Sequence, residues 1–158
     1  MSQSPSVSVE RDIAAPASRV WSLITNIDAW PSTIQGIVSV ERLDGGSGFG
    51  EGTRWRESRR ILGKVGTEER LVTAIDPGRS FTAETENRGT YYVTTYAVTP
   101  AGPGSRLTID FTTFPAKPPG FFGRMVAGLG LRSVRNSLEL DLVALAMAAE
   151  RGTGRVSP

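Results

Sequence analysis

Apolar residues recur at steps of three or four along the last long segment of the chain, from Pro119 to Glu150. This spacing places them on one face of a helix. The first row consists of Leu131, Val134, Leu138, Leu142, Leu145 and Ala149, and a second row beside it consists of Phe122, Met125, Val126, Leu129, Leu140, Val143 and Met147. Charged residues such as Arg132 and Asp141 lie mostly between or outside these rows. The pattern predicts one helix about 45 Å long with a wide buried stripe.

Upstream of this helix, short segments alternate between polar and apolar residues, as β-strands do. Seven such segments are separated by turn-forming residues: Val7–Ile13, Ile37–Leu43, Thr53–Leu62, Val65–Ile75, Ser80–Glu86, Thr90–Thr99 and Arg106–Phe114. Two short helices are predicted between the first two strands, one with Pro16 at its first position and one capped by Asp28. The chain therefore predicts an α+β fold in which a curved antiparallel sheet of about seven strands wraps around a long C-terminal helix.

The bulk composition limits the classes of function. A chain of 158 residues with 39% hydrophobic content predicts a single domain, which we place at residues 6–150, followed by a flexible tail at 151–158. The chain contains neither histidine nor cysteine, which excludes histidine-based catalytic triads, disulfides and thiolate zinc sites, so we expect no metal and no cofactor. A polar N-terminus and the lack of a long apolar run favour a cytoplasmic protein with no integral membrane segment, either a monomer or a homodimer.

A sheet that curls around one helix leaves part of its interior unfilled, so its inward residues indicate what the interior holds. On the strand Thr53–Leu62, the face that carries Trp55 also carries Glu57 and Arg59 by the period of two. The opposite face, which we expect to face water, carries Arg54, Arg56, Ser58 and Arg60. An aromatic interior with a few polar groups is typical of small-molecule pockets. The residues expected to line such a cavity are Trp30, Trp55, Glu57, Arg59, Tyr92, Tyr96, Phe111, Met125 and Leu129.

The polar members of this set have two interpretations each. Glu57 and Arg59 could orient a ligand carbonyl or hydroxyl, with Arg59 as the donor. The more common role of such a pair is structural, with the two side chains paired to each other or solvated at the strand end. Tyr92 and Tyr96 could likewise donate hydrogen bonds into a cavity, although tyrosines in a sheet more often simply pack.

Three other charged or glycine-rich patterns favour ordinary structural roles. The glycine cluster Gly45–Gly52 lacks the Gly-Lys-Ser/Thr ending of a phosphate-binding loop and leads into a strand, so we expect a hairpin loop over a cavity entrance. Arg132 and Arg135 could bind an anion, but a solvated helix face is the favoured interpretation. The arginines of the strand Thr53–Leu62 are interleaved with acidic residues and have no aromatic partners, so no nucleic-acid partner is expected.

Several short motifs occur in a fixed order over nearly the whole chain. They are Ile13-Ala14-Ala15-Pro16 through Val20-Trp21, Trp30-Pro31, Val40-Glu41, Gly52-Thr53, Asp76-Pro77 and Gly104-Ser105-Arg106-Leu107-Thr108. With the long C-terminal helix, this order resembles the helix-grip fold of the START-like superfamily, also called SRPBCC or Bet v-type, and in particular its polyketide cyclase/dehydrase and lipid-transport branch. The resemblance implies a deep cavity between the sheet and the C-terminal helix that holds a lipid, polyketide, sterol or other apolar molecule. It carries over no invariant catalytic motif.

Three functional hypotheses follow. The first is binding of a small hydrophobic ligand in the cavity, with Gly45–Gly52 and Pro115–Phe122 acting as gates. The alternative is a polyketide aromatase/cyclase-type enzyme, in which Glu57 or Tyr96 moves a proton and Arg59 stabilises an enolate. The third is a module that binds another protein through the exposed side of the sheet. The sequence leaves open whether the protein is an enzyme.

Overall fold

A computed structural model of the chain describes residues 5–61, 63–87, 89–114 and 130–153. The strands in this part are β1 (Ser6–Ile13), β2 (Ile37–Arg42), β3 (Arg54–Ile61), β4 (Lys64–Asp76), β5 (Ser80–Asn87), β6 (Thr90–Ala101) and β7 (Gly104–Phe114). The helices are α1 (Ala17–Thr25), α2 (Trp30–Thr33) and α3 (Leu131–Thr153), with a 3₁₀ turn at Ile27–Ala29 directly before α2. None of the helices in the described ranges is long and apolar enough to cross a membrane.

The strands form one antiparallel sheet in the order β1-β7-β6-β5-β4-β3-β2. Successive strands from β2 to β7 are neighbours, and β1 joins the far side by pairing with β7. The hairpin turn Asp76-Pro77-Gly78 joins β4 to β5, with a hydrogen bond of 2.9 Å from the Arg79 amide to the Asp76 carbonyl. Gly78 has a φ of +79°, a backbone conformation that favours glycine. The predicted helix-grip architecture of sheet, two short helices and C-terminal helix is confirmed.

Three local predictions differ from the structure. Pro16 is the N-cap of α1 rather than its first residue, because its ψ of 153° keeps it extended. Asp28 does not cap the second helix, since it lies inside the 3₁₀ turn that runs into α2. The segment Pro100–Gly104 is mostly strand rather than loop, because Pro100 pairs with Ser105 at the end of the β6–β7 hairpin.

Helix α3 packs mainly against β1 and α1. The first apolar row is confirmed as its buried face, with Leu142, Leu145 and Ala149 almost completely inaccessible. The prediction of a wide buried stripe is wrong for Leu140 and Met147, which are 70% and 54% exposed. The physical reason is that, among the described residues, β1 and α1 pack mainly against the other flank of the helix. Residues 119–129 of the predicted helix, including Met125 and Leu129, lie outside the described residues, and α3 ends three residues beyond Glu150, at Thr153.

One end of the core between the sheet and the helices is filled by aromatic rings. Trp30 meets Trp55 edge to face with ring centroids 5.8 Å apart, and Phe81 stacks on Tyr96 at 4.8 Å. Phe49 contacts Phe81 edge to face at 4.8 Å, so it anchors the glycine-rich loop to this cluster. Aromatic pairs in these arrangements stabilise beyond the area they bury. The aromatic rings therefore fill this part of the interior.

Candidate functional site

A groove of about 480 Å³ lies between the open flank of α3 and the sheet edge at β2 and β3. Its far wall is the segment that connects α2 to β2 together with the end of β3. The described residues that line it are Ile34, Gln35, Gly36, Arg59, Arg60, Ser133, Asn136, Ser137, Leu140, Asp141, Val143, Ala144 and Met147. Pockets that hold small organic ligands enclose roughly 300–1,000 Å³, so the groove has a suitable size.

The groove combines apolar walls with a polar floor. Leu140 and Met147 present exposed apolar side chains at its rim, and Val143 and Ala144 lie beside them, half-buried. The floor is formed by Arg59 from the sheet and by Ser137 and Asp141 from α3. Exposed apolar groups around a few convergent polar groups are the usual composition of a small-molecule site.

Arg59 connects the sheet to the helix at the floor of this groove. Its Nη1 donates to both carboxylate oxygens of Asp141, at 3.0 and 3.1 Å, and to Ser137 Oγ at 3.3 Å. Its Nε donates to Glu57 Oε2 at 3.2 Å. Burial lowers the pKa of Arg59, but the charges of Asp141 and Glu57 outweigh this effect and raise it above its ordinary value. Arg59 is therefore a fixed cation held between two acids.

The pKa values of Asp141 and Glu57 are shifted in opposite directions, although Arg59 lowers both. Burial raises the pKa of Asp141 above its ordinary value, and the charge and hydrogen bonds of Arg59 offset only part of this. Burial would also raise the pKa of Glu57, but the charges of Arg70 and Arg59 and the hydrogen bonds from Trp55 and Arg59 hold it below its ordinary value. Glu57 is thus a stabilised carboxylate, whereas Asp141 is the acid that takes up a proton more readily.

Arg70 is a second cation in the interior, with 15% of its side chain exposed. Residues directly opposite each other in a sheet share a face, and Arg70 pairs with Trp55 in the β3–β4 register. Its Nε lies 3.4 Å from Glu57 Oε1, and its Nη2 lies 3.6 Å from Glu68 Oε2. The Nε is buried, and within the described residues it has no hydrogen-bond partner of good geometry.

Tyr96 lies beside these charges and is itself buried, with 3% of its surface exposed. Burial raises its pKa to about 12, with opposing influences from Arg70 and Asp141. At neutral pH the Tyr96 side chain is therefore an uncharged phenol that can donate a hydrogen bond but is a poor proton acceptor.

The structure brings together some of the residues that the sequence predicted and separates others. Glu57, Arg59 and Tyr96 share the interior, and among the predicted residues that the structure describes only Arg59 also lines the groove. Trp30 and Trp55 belong to the aromatic cluster. Tyr92 and Phe111 stack on each other at 5.9 Å on a half-buried part of the sheet, away from the groove. Met125, Leu129 and the predicted gate Pro115–Phe122 lie outside the described residues.

The surface interpretation of the remaining arginines agrees with the structure. Arg132 and Arg135 are exposed on α3. Arg54 and Arg56 lie on the outer face of the sheet, where both form ion pairs with Glu69. These groups are solvated or paired, as expected for a charged protein surface.

Sequence reasoning missed Asp141 and Arg70. Asp141 was grouped with the charges outside the apolar rows, yet it is only 3% exposed. Its position three residues after Leu138 and four before Leu145 was the available signal, because those spacings place it on the buried face. For Arg70 the signal was the tight turn after β3, which fixes the register that sets Arg70 opposite Trp55.

The described residues contain no group of three or more carboxylate, histidine or cysteine side chains arranged to hold a metal ion. The two buried acids, Glu57 and Asp141, each form an ion pair with an arginine. The chemistry available at the site is therefore hydrogen bonding and charge stabilisation by arginine, with Asp141 as a proton-accepting group.

Several solved structures share this architecture. The protein TTHA0849 from Thermus thermophilus is 23% identical, with a TM-score of 0.74 over 95% of this chain and 100% of that one. The Zhui aromatase/cyclase from Streptomyces sp. R1128 is 19% identical, with a TM-score of 0.78 over 98% of this chain and 99% of that one. A START superfamily protein from Mycobacterium smegmatis is 19% identical, with a TM-score of 0.63 over 89% and 98%. At these identities the similarity shows a common fold.

Comparison at the sequence level assigns the family. No curated protein matches the chain with significant similarity. A sequence model of the family described as polyketide cyclase / dehydrase and lipid transport, however, matches residues 4–149, which is most of the 158-residue chain. The chain therefore belongs to the polyketide cyclase/dehydrase and lipid-transport family.

Proposed function

We propose that the protein binds a small, mainly apolar molecule in the groove between α3 and the β2–β3 edge of the sheet, within one ligand-binding domain at residues 6–150. The observation that supports this most is the groove itself, with a volume of about 480 Å³ and with Leu140 and Met147 exposed at its rim. Large apolar side chains that remain exposed around a concavity are typical of binding sites. The membership of a family whose description includes lipid transport agrees with this function.

The apolar walls supply most of the expected binding free energy. Burying about 300 Å² of apolar ligand surface would contribute about 7 kcal/mol before the costs of association are subtracted. The polar floor contributes orientation, because Arg59 is held in place by Glu57 and Asp141 and needs no rearrangement to meet a ligand.

Titration with the uncharged fluorophore N-phenylnaphthylamine, whose emission rises in apolar surroundings, tests this proposal. We expect saturable binding to the wild type, and weaker binding to Ala144→Phe, which fills the groove, and to Met147→Ser, which removes part of its rim. Leu71→Ser is the matched control, since Leu71 is 40% exposed on β4 outside the groove. Native mass spectrometry of protein purified without detergent adds a direct search for a co-purified ligand.

Two outcomes would argue against this proposal in different ways. No saturable binding of the fluorophore and no co-purified ligand would contradict the proposal. If neither Ala144→Phe nor Met147→Ser weakens the binding, the ligand binds outside this groove, for example at the predicted site around Tyr92 and Phe111.

A second candidate function is a polyketide aromatase/cyclase-type reaction. It is favoured by the buried arginine at the floor of the groove, since Arg59 could stabilise an enolate oxygen. Glu57 is poorly suited to accept a proton because its pKa is lowered, and Asp141 is better suited because its pKa is raised and it lines the groove. The test is turnover of a poly-β-keto mimic by the wild type, Arg59→Met, Glu57→Gln and Asp141→Asn. Equal rates in all four proteins would exclude these roles.

A further inference from the structure

We infer that the outer face of the sheet, around Tyr91 and Phe114, binds a segment of a partner protein that is both basic and apolar. This face points away from α3, so the interaction is independent of the groove and of the proposed function. The surface, which we call the outer patch, consists of two aromatic rings, one aliphatic side chain and three acidic residues: Tyr91, Phe114, Val93, Glu84, Glu86 and Asp110.

Two large aromatic side chains are exposed next to each other in this patch. Tyr91 is 50% exposed and Phe114 is 47% exposed, and they lie directly opposite each other in the β6–β7 register. The buried residue Thr113 precedes Phe114, so the alternation along β7 turns Phe114 outwards. Half-buried Val93 lies on the same face of β6 as Tyr91. Single exposed apolar residues are ordinary, but adjacent exposed aromatic residues are typical of surfaces that bind other proteins.

Acidic residues surround the aromatic pair. In the β5–β6 register, Glu86 lies opposite Tyr91, and Glu84 lies opposite Val93. Asp110 lies four positions before Phe114 and therefore on the same face of β7. The patch thus combines an apolar centre with a negatively charged rim.

Cations are scarce on this part of the sheet. Among the described outward-facing residues of β5, β6 and β7, the only cation is Arg106, which pairs with Asp12 at 2.7 Å. Glu84, Glu86 and Asp110 form no ion pair with any described residue. The whole chain carries a formal net charge of +2, so the negative charge of the outer patch is local and opposite in sign to the chain.

The other half of the outer face is close to neutral. Arg54 and Arg56 pair with Glu69, and Arg56 also pairs with Glu41. Arg60 lies on β3, three strands away from β6, which is at least about 14 Å at the usual strand spacing. None of these arginines is therefore placed to balance the acids of the outer patch.

Charge complementarity selects the kind of partner. A negative rim repels nucleic acid and anionic membranes, and two copies of the patch facing each other would bring their acidic residues together. Lysine and arginine side chains are attracted both to the carboxylates and to the faces of the aromatic rings. An amphipathic helix with basic residues beside its apolar stripe presents both kinds of group on one side, so it matches the centre and the rim of the patch.

Fluorescence anisotropy of a labelled synthetic peptide of leucine and lysine, with its leucines at helical spacing, tests this inference. We expect saturable binding to the wild type that weakens at least about tenfold when glutamate replaces the lysines or serine replaces the leucines. Added salt should weaken binding of the leucine–lysine peptide as well. No binding of this peptide, or equal affinity for all three peptides, would overturn the inference and leave the proposed function intact.

Variants of the patch test where the peptide binds. Tyr91→Ser and Phe114→Ser should each lower its affinity about five- to tenfold, and Glu86→Gln should lower it about two- to threefold with a weaker dependence on salt. Val65→Ser and Glu41→Gln are the matched controls, since Val65 is 55% exposed on β4 and Glu41 is exposed on β2. Circular dichroism checks that each variant is folded, because cross-strand aromatic pairs also stabilise a sheet. Unchanged affinity in the three folded patch variants would overturn the inference.

Two further measurements separate this partner from other occupants. Ala144→Phe fills the groove and should leave the affinity for the peptide unchanged. Loss of peptide binding in Ala144→Phe but not in Phe114→Ser would place the peptide in the groove and overturn the inference. In size-exclusion chromatography, self-association that Phe114→Ser abolishes, without any peptide binding, would show that a second copy covers the patch and would also overturn it.

Discussion

At the scale of single residues, Arg59 is the side chain that links the sheet to α3 at the site. It bonds two carboxylates and a hydroxyl, and it joins β3 to α3 across the floor of the groove. Both carboxylates are nearly inaccessible to solvent, with 2% of Glu57 and 3% of Asp141 exposed. Removing the cation between them would leave Glu57 with Arg70 at 3.4 Å and Asp141 with no direct cationic partner among the described residues.

We therefore predict that Arg59→Met lowers the free energy of unfolding by about 3–5 kcal/mol, because breaking a buried ion pair from one side leaves an uncompensated charge. Urea denaturation followed by circular dichroism measures the change. Arg106→Met is the control, since it breaks the exposed pair with Asp12 and should have little effect. Similar losses in both variants would show that Arg59 is no more important than a surface arginine.

Gly104 gives a second prediction at this scale. An added β-carbon would overlap the carbonyl oxygen of Ile13, where β1 passes β7 closely. Gly104→Ala should destabilise the fold by about 1–3 kcal/mol because the two strands would have to separate. Thermal unfolding compared with Gly48→Ala, where the space is open, checks this expectation. Equal melting temperatures for the two variants would contradict the close approach.

At the scale of elements, α3 has two apolar rows with different roles. Leu142 is fully buried against the sheet, whereas Leu140, two positions earlier, is 70% exposed at the groove. A helix presents successive residues at about 100° to each other, so two neighbouring rows can lie on opposite sides of a packing boundary. The exposed row provides the wall of the groove.

This arrangement predicts that Leu142→Ala costs about 2–5 kcal/mol of stability and that Leu140→Ala costs less than about 0.5 kcal/mol. The two variants remove the same atoms from the same helix, so urea denaturation isolates the effect of burial. A larger loss of stability for Leu140→Ala would mean that α3 turns Leu140, and not Leu142, towards the sheet.

The sequence predicted the elements better than it predicted the site. Strand alternation correctly placed Trp55 and Glu57 on the inner face of β3, because a period of two leaves no other choice once one face is buried. Helix periodicity did not reveal that Leu140 and Met147 are exposed, since spacing along one helix does not state how far the sheet extends around it. Asp141 was missed because a helical carboxylate is ordinarily solvated, and only its partner Arg59, far away in the chain, makes its burial possible.

At the scale of the whole molecule, the buried network links stability to pH. Glu57 has a pKa below its ordinary value of 4.5 in the folded protein. Its stabilising effect is therefore fully present above pH 4.5 and is lost as the pH falls through the folded pKa. Asp141 has the opposite sign, because its pKa is raised by burial and its protonation on acidification relieves the cost of a buried charge.

We predict that the free energy of unfolding of the wild type, relative to Glu57→Gln, decreases as the pH falls below the ordinary glutamate value of 4.5. Relative to Asp141→Asn, it should increase as the pH falls towards the ordinary aspartate value of 3.8. Urea denaturation of the three proteins at a series of pH values measures both differences. The contributions of the exposed carboxylates to the free energy of unfolding cancel in these differences because all three proteins share them. Two differences of the same sign would contradict the opposite pKa directions of the two acids.

The outermost strands of the sheet have a consequence for behaviour at high concentration. β1 and β2 end the sheet on either side, and a free edge can add a strand from another molecule. β2 is only six residues long and contains a bulge between Ile37 and Ser39, while β1 carries the consecutive charges Glu10, Arg11 and Asp12. Short, irregular and charged borders oppose edge-to-edge association, so crowding should not fuse neighbouring molecules into a continuous sheet.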